Sequence, residues 1–167
     1  NQIAKRLNEL EFDRICISLD GSNSRNHDSI RGKGTFIKTI KGIRELQREN
    51  IPITSLFTLT KSNINDLIDT IKLNELLNIE DMSVMVRCST GRASDRKKMF
   101  TKETWYPLFL KLSEMKKSGE IKLNFRVITP NESNVYWLYY FPLKFYNRLD
   151  LLEVWDQNLE EITIERS

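Results

Sequence analysis

The sequence predicts an α/β protein, a partial (β/α) barrel with about four parallel strands covered by helices. Short, continuous apolar runs begin near residues 14, 53, 82 and 122, and segments with apolar residues at helical spacing separate them. Such alternation at the size of a β–α–β unit is typical of a parallel sheet covered by helices. An open doubly wound sheet fits the same pattern. Because four units cannot close an eight-stranded barrel, we expect at least one unpaired edge.

The elements follow from apolar runs, turn residues and caps. The predicted strands cover residues 14–19, 53–59, 82–86 and 123–128. Residues 20–24 are turn formers and are predicted to break the chain after the first strand. Thr35 and Asn63 are predicted to cap the next two helices, since their side chains can accept hydrogen bonds from first-turn amides. Pro107 is predicted in the first turn of the helix before the last strand.

Composition narrows the class of protein. The 167 residues are 40% hydrophobic and 29% charged, with a net charge of +3, as expected for a globular chain that binds no nucleic acid. No apolar run is long enough to cross a bilayer. The two cysteines, Cys16 and Cys88, are too few and too distant for a metal motif, and we expect buried free thiols in a cytoplasmic protein. The chain starts at Asn1, so we expect an internal piece of something longer.

The chain divides into residues 1–130, the β/α part, and residues 131–167, which are rich in aromatic residues. The aromatic side chains are predicted to form a hydrophobic lid on the β/α part, because aromatics mainly supply buried area. A stacking platform for bases or peptides is the alternative. Residues 161–166 alternate in polarity and are predicted to form one strand of a hairpin that leads into a further domain.

Polar side chains end the predicted strands. Ser18 and Asp20 follow the first strand and Arg92 follows the third. In parallel β/α folds, ligands bind at these carboxyl ends. Hydroxyls and a carboxylate suit ribose, and arginines suit a carboxylate or phosphate, so a pocket for a nucleoside with an acidic group is one interpretation. Ordinary polar loops are the other. His27 could be a general base, but we favour a role in stabilising the loop and holding Arg31 in place.

Three motifs resemble the middle of radical S-adenosylmethionine (AdoMet) enzymes. They are Ile-Ser-Leu-Asp-Gly at 17–21, His-Asp-Ser-Ile-Arg-Gly at 27–32 and Gly-Thr-Phe at 34–36. Gly-Arg-Ala at 91–93 also matches. The nearest subgroup is the SPASM type, whose C-terminal extension holds auxiliary clusters and which includes anaerobic sulfatase maturases and peptide-modifying maturases. The similarity spans residues 12–128.

The resemblance implies that the intact parent uses AdoMet and a 4Fe–4S cluster to generate a 5′-deoxyadenosyl radical, which modifies a peptide or protein. It implies that Ser18 and Asp20 lie near the ribose or methionyl end of AdoMet. Arg31 would contact the methionyl carboxylate or support the loop, and Arg92 would face the adenine. The catalytic residues are not assigned.

One departure from the family is plain: the Cys-x-x-x-Cys-x-x-Cys motif is absent. A cluster needs thiolate ligands, so we expect the isolated chain to bind no cofactor stably and to be inactive. Two other functions fit the residues. One is a non-catalytic binding module that uses the aromatic tail or an open sheet edge, through which it could also self-associate. The other is an unrelated β/α enzyme that binds phosphate.

Overall fold

The computed structural model describes residues 2–10, 12–86, 100–128 and 136–155. Within them, four parallel strands form one sheet in the order β1-β2-β3-β4. Helices separate successive strands, so the predicted partial α/β barrel is confirmed. Each strand lies within one residue of its predicted ends. The strands are β1 (Ile15–Ser18), β2 (Ile53–Leu59), β3 (Asp81–Val86) and β4 (Asn124–Ile128).

Helices lie before, between and after the strands. They are α1 (Gln2–Asn8), α2 (Ser24–Arg31), α3 (Thr35–Arg48), α4 (Leu67–Leu76), α5 (Lys102–Lys117) and α6 (Phe141–Phe145). A 3₁₀ turn, Ile64–Asp66, precedes α4, and a π turn, Tyr136–Tyr140, precedes α6. A second 3₁₀ turn covers Leu149–Val154. None of the helices that the structure describes has the length and apolar character of a membrane span.

Two local predictions about the helices, those for Thr35 and Pro107, were wrong, and one helix, α2, was not predicted. The segment after β1 contains α2, which begins where Asn23 Oδ1 accepts a hydrogen bond from the Asn26 amide at 3.1 Å. Thr35 is the first residue of α3 and Gly34 is its cap, because φ is 78° there and glycine tolerates this left-handed conformation. Pro107 lies in the second turn of α5, which begins at residue 102.

Alternation along the strands divides the sheet into two faces. One face carries Phe57, Leu59, Val84 and Val127, and it packs with α4, α5 and the C-terminal segment into the main core. The other face, called here the inner face, carries a row in register: Ser18, Leu56, Ser83 and Arg126. Near the carboxyl end of this face, Met85 and Ile128 are 43% and 36% exposed. The carboxyl end of the inner face is therefore accessible, whereas Ser83 in its middle is buried.

The C-terminal segment packs as the lid that the sequence predicts. Phe109 of α5 contacts both Tyr139 and Trp155, with a stacked pair to Trp155 at 4.6 Å and an edge contact to Tyr139 at 5.2 Å between ring centroids. The Tyr139 hydroxyl accepts from the Val127 amide at 2.7 Å and donates to the Val127 carbonyl at 2.8 Å. The edge of β4 is therefore occupied at Val127. The prediction of at least one unpaired edge did not name a strand, and this contact does not test it.

Candidate functional site at the carboxyl ends of the strands

Asp20 lies immediately beyond β1 and is fully buried. One carboxylate oxygen accepts from the Thr58 amide at 2.5 Å, and the other is paired with Nε of Arg31. Because both oxygens bond to the protein in a fully buried setting, Asp20 acts inside the fold. The structure therefore places Asp20 in the interior, where its carboxylate holds Arg31.

Arg31, the last residue of α2, reaches back over the sheet. Its Nε pairs with Asp20, and one terminal nitrogen lies 3.4 Å from Thr58 Oγ1. The side chain keeps 39% of its surface exposed. A guanidinium anchored at one side retains terminal donors that can bind a carboxylate or phosphate. Arg31 is thus a charged group at this end that is both fixed and accessible.

Asn63 joins the ends of β1 and β2. Its Nδ2 donates to the carbonyls of Asp20 and Thr58, at 3.2 and 3.0 Å, and its Oδ1 accepts from the amide and hydroxyl of Thr60, at 2.8 and 2.9 Å. The side chain makes no cap to the following 3₁₀ turn, so the predicted capping role was wrong. Asn63, at 2% exposure, instead holds two strand ends together. We call Asp20, His27, Arg31, Thr58 and Asn63 the strand-end cluster.

A second connection lies beside this cluster. Ser22 donates its amide and its hydroxyl to the two carboxylate oxygens of Asp66, both at 2.6 Å. Asp66 also accepts from Thr70 Oγ1 through its carbonyl at 2.8 Å. The loop after β1 is therefore attached to the start of α4. Sequence reasoning missed Asp66, because its partner lies 44 residues away and no short motif links them.

Asp28 connects α2 to α3. Its carboxylate accepts from the amides of Gly34 and Phe36, at 2.6 and 2.8 Å, and from Thr35 Oγ1 at 3.2 Å. The Phe36 amide is the main cause that holds the pKa of Asp28 below its ordinary value, with the Gly34 amide adding to it. Asp28 thus supplies the acceptor at the start of α3 that Gly34, which has no side chain, does not provide.

Exchanging Asp28 for asparagine tests this connection. The folded-state pKa of Asp28 is depressed, so its stabilisation is present above the unfolded value of 3.8 and is lost as the pH falls through the folded value. We expect D28N to lower the melting temperature at pH 7 and the difference from the unmodified chain to shrink below about pH 4. Thermal unfolding at pH 3 and pH 7 measures both. An undiminished difference at pH 3 would contradict the assignment.

His27 lies against the strand end, at 1% exposure. Its Nδ1 accepts from the Asp20 amide at 3.1 Å, and its ring contacts Phe36 edge-on at 5.8 Å between centroids. Burial lowers its pKa, and Arg31 adds to this, while Asp20 and Asp28 oppose it. These contacts agree with the loop-stabilising role that we favoured for His27. A general base would need access to a substrate proton, and this buried ring offers none.

Ser18 and Arg92 are the two remaining predicted site residues. Ser18 is half-buried on the inner face, in the row that also holds Arg126. It lies two residues before Asp20. Arg92 lies outside the described residues. A large open cleft of about 990 Å³ lies at the other end of the strands, beside Glu80 and Asn124, away from these groups.

The two cofactors implied by the resemblance differ in how the described residues suit them. The anchored, accessible Arg31 suits a carboxylate and the Ser18 hydroxyl on the inner face suits a ribose, so these residues fit AdoMet. A 4Fe–4S cluster needs several thiolates. No group of three potential metal ligands occurs in the part of the chain that the structure describes. Cys16 is exposed and not buried as predicted, and Cys88 lies outside the described residues. The described residues therefore do not fit a cluster.

The fold and these side chains define a β/α-barrel segment with a polar site at the carboxyl ends of its strands. Proteins of similar sequence indicate more closely which class of protein the chain resembles. The chain is 30% identical over 95 residues to the AdoMet-dependent heme synthase of Methanosarcina barkeri, covering 56% of this chain and 27% of that protein. It is 36% identical over 67 residues to the Fe-coproporphyrin III synthase of the same organism, covering 40% and 16%. No family model matches.

Solved structures show the same fold. Native anSMEcpe with bound AdoMet and the Kp18Cys peptide superposes with a TM-score of 0.59 at 15% identity, over 75% of this chain and 36% of that one. Streptococcus suis SuiB bound to S-adenosylmethionine gives 0.56 at 16% identity, over 75% and 28%. The resemblance to radical SAM enzymes is confirmed. The chain spans about a quarter of the length of the first curated relatives that it matches.

Proposed function

We propose that this chain forms one wall of the AdoMet site in a larger radical SAM enzyme. The observation that carries the proposal is Arg31, which is anchored to buried Asp20 and remains exposed at the carboxyl ends of the strands. A fixed guanidinium at this place suits an anionic ligand group. The sequence relatives named as AdoMet-dependent support the identity of that ligand.

Each residue has a distinct part in the proposed site. Arg31 binds the methionyl carboxylate with its terminal nitrogens. Ser18 offers its hydroxyl to the ribose from the inner face. Asp20 contacts no ligand and holds Arg31, which refines the direct contact expected from the family. Arg92 remains a proposal for the adenine side.

When bound, AdoMet would be cleaved by one electron from the reduced 4Fe–4S cluster into methionine and a 5′-deoxyadenosyl radical, which would abstract hydrogen from the substrate. The cofactor carries this chemistry, and the protein orients and shields it. This chain contributes the arginine that orients the carboxylate, together with the exposed apolar side chains of Met85 and Ile128 at the carboxyl end of the inner face. We place the cysteine ligands of a 4Fe–4S cluster elsewhere in the intact protein.

For the substrate we propose a peptide or protein. The support is that the structural neighbours include complexes with the Kp18Cys peptide and with the precursor peptide SuiA. A tetrapyrrole is the second candidate, since the sequence relatives are named as heme, Fe-coproporphyrin III and pre-heme d1 synthases. The sequence relatives share 30–36% identity and the structural neighbours 14–16%, so both candidates need direct measurement.

Replacing Arg31 with glutamine in the intact protein tests the AdoMet site. We expect the Kd for AdoMet to rise by about 10- to 100-fold, the scale of a lost hydrogen bond to a charged group. Isothermal titration calorimetry measures the change. Arg48 is exposed on α3 and pairs with Glu45, so R48Q is the matched control. This substitution should leave the Kd for AdoMet unchanged.

Two results would overturn the proposal: AdoMet that fails to bind the intact protein, or an R31Q protein that binds it normally. If the intact protein bound inorganic phosphate through Arg31 and did not bind AdoMet, the result would indicate the unrelated β/α enzyme that binds phosphate. To separate the substrates, Fe-coproporphyrin III and a cysteine-containing peptide are titrated into the AdoMet complex. A shift of the porphyrin absorption band, without peptide binding, would replace the peptide with the tetrapyrrole.

A further inference from the structure

His27 makes a contact that fixes its chemical state. Its Nδ1 accepts a hydrogen bond from the Asp20 backbone amide, and an imidazole nitrogen can accept only when it carries no proton. The ring must therefore be neutral, with its proton on Nε2. Because His27 is 1% exposed, protonating Nδ1 would set two N–H groups against each other inside the protein and bury a charge.

The backbone around His27 is built to permit this contact. Gly21 follows Asp20, and a Cβ atom at Gly21 would lie 2.6 Å from the backbone nitrogen of His27. The loop after β1 therefore approaches α2 more closely than any residue with a side chain would allow. His27 sits in the first turn of α2, where its amide donates to the Asn23 carbonyl at 3.0 Å. The ring is thus held beneath the strand end by α2 itself.

From these contacts we infer that His27 is a positioning residue: its neutral Nε2–H tautomer holds the Asp20 backbone, and Asp20 in turn aims Arg31 at the ligand. This inference rests on the proposed AdoMet site, since Arg31 is the ligand-binding group. The inference itself concerns a series of contacts that runs from the His27 ring through Asp20 to the Arg31 guanidinium. No atom of His27 touches the ligand.

The positioning depends on pH in a definite direction. The charged groups around the ring are Asp20 beyond β1 and Asp28 and Arg31 on α2, and α3 presents the uncharged ring of Phe36. Burial lowers the pKa of His27 below its ordinary value of 6.5. The correct geometry is therefore present above pH 6.5 and is lost as the pH falls through the lowered folded value. AdoMet affinity should follow the same course.

His27 is the only histidine in these 167 residues, which gives a direct measurement. In the chain labelled with ¹⁵N-histidine, we expect at pH 7 one ring signal set with Nδ1 unprotonated and Nε2 protonated. A signal from protonated Nδ1, as the other tautomer or as imidazolium, would overturn the inference. This readout needs no AdoMet, so it remains decisive even where AdoMet binding, and with it the proposed function, fails.

Two variants of the intact protein test the connection to the ligand. Leucine at position 27 removes the acceptor, and H27L should weaken AdoMet binding by about tenfold or more, the scale of one buried amide left unpaired. Asparagine places Oδ1 near the position of Nδ1, so H27N should restore most of the affinity that H27L loses and abolish the decline of affinity as the pH falls below 6.5. Unchanged affinity in folded H27L, or a decline with pH that persists in H27N, would contradict the role.

Discussion

Replacing Asn63 with leucine is expected to lower the free energy of unfolding by about 3 kcal/mol or more. Leucine has a similar volume but no polar atoms, so the carbonyls of Asp20 and Thr58 and the amide of Thr60 lose their partner. Each buried polar group left unpaired costs about 1–3 kcal/mol. Urea unfolding followed by circular dichroism measures the change.

The neighbouring residue provides the control for this prediction. Ser62 is exposed, and its one hydroxyl contact is to Thr60 Oγ1 at 2.9 Å. Alanine at position 62 should change the free energy of unfolding by about 0.5 kcal/mol at most, as surface substitutions usually do. If N63L is no less stable than S62A, Asn63 does not hold the strand ends together.

The second large effect is expected at Phe109, where alanine should cost about 3–5 kcal/mol. Phe109 is fully buried and lies against Trp105, Tyr139 and Trp155. Its removal leaves a cavity at the junction of α5 with the C-terminal segment. The expected result is a lower unfolding midpoint together with a change in tryptophan fluorescence, because Trp155 loses its stacked neighbour.

Phe145 is the matched control, since it is the same residue type at 72% exposure. F145A should leave the midpoint within experimental error. Equal destabilisation by F109A and F145A would mean that the aromatic segment is not packed as described. A loss of stability in F109A alone supports the lid and disfavours a freely exposed stacking platform, because the central aromatic rings are then engaged within the fold.

Local sequence patterns predicted the sheet well. β2 has the predicted bounds, because its apolar run is closed by Pro52 on one side and polar residues on the other. α2 was not predicted, since Ser24, Arg25 and Asn26 have no apolar periodicity and the helix instead depends on the cap at Asn23. Short-range patterns thus identify elements that bury an apolar face and miss those fixed by polar contacts.

The candidate site was predicted only in outline. That Asp20 and Arg31 both belong to it follows from their place after β1 and from the family motifs. Asp20 can orient Arg31 because α2 ends with Arg31 close to Asp20. The sequence pattern did not predict α2. Asn63 could have been noticed as an amide three residues after Thr60 at a strand end, but its bond to Asp20 crosses 43 residues. Long-range polar contacts of this kind become visible only with the fold.

The Tyr139 hydroxyl limits the addition of a further strand beside β4. A hydroxyl that accepts from one peptide N–H and donates to the same residue's C=O takes the two positions that an added strand would use there. Any second chain that extends the sheet beside Val127 must first displace a buried ring. Tyr139 therefore blocks the addition of a strand on that flank. Phenylalanine at this position would leave the Val127 N–H and C=O without their hydroxyl partner, but the ring would still have to be displaced.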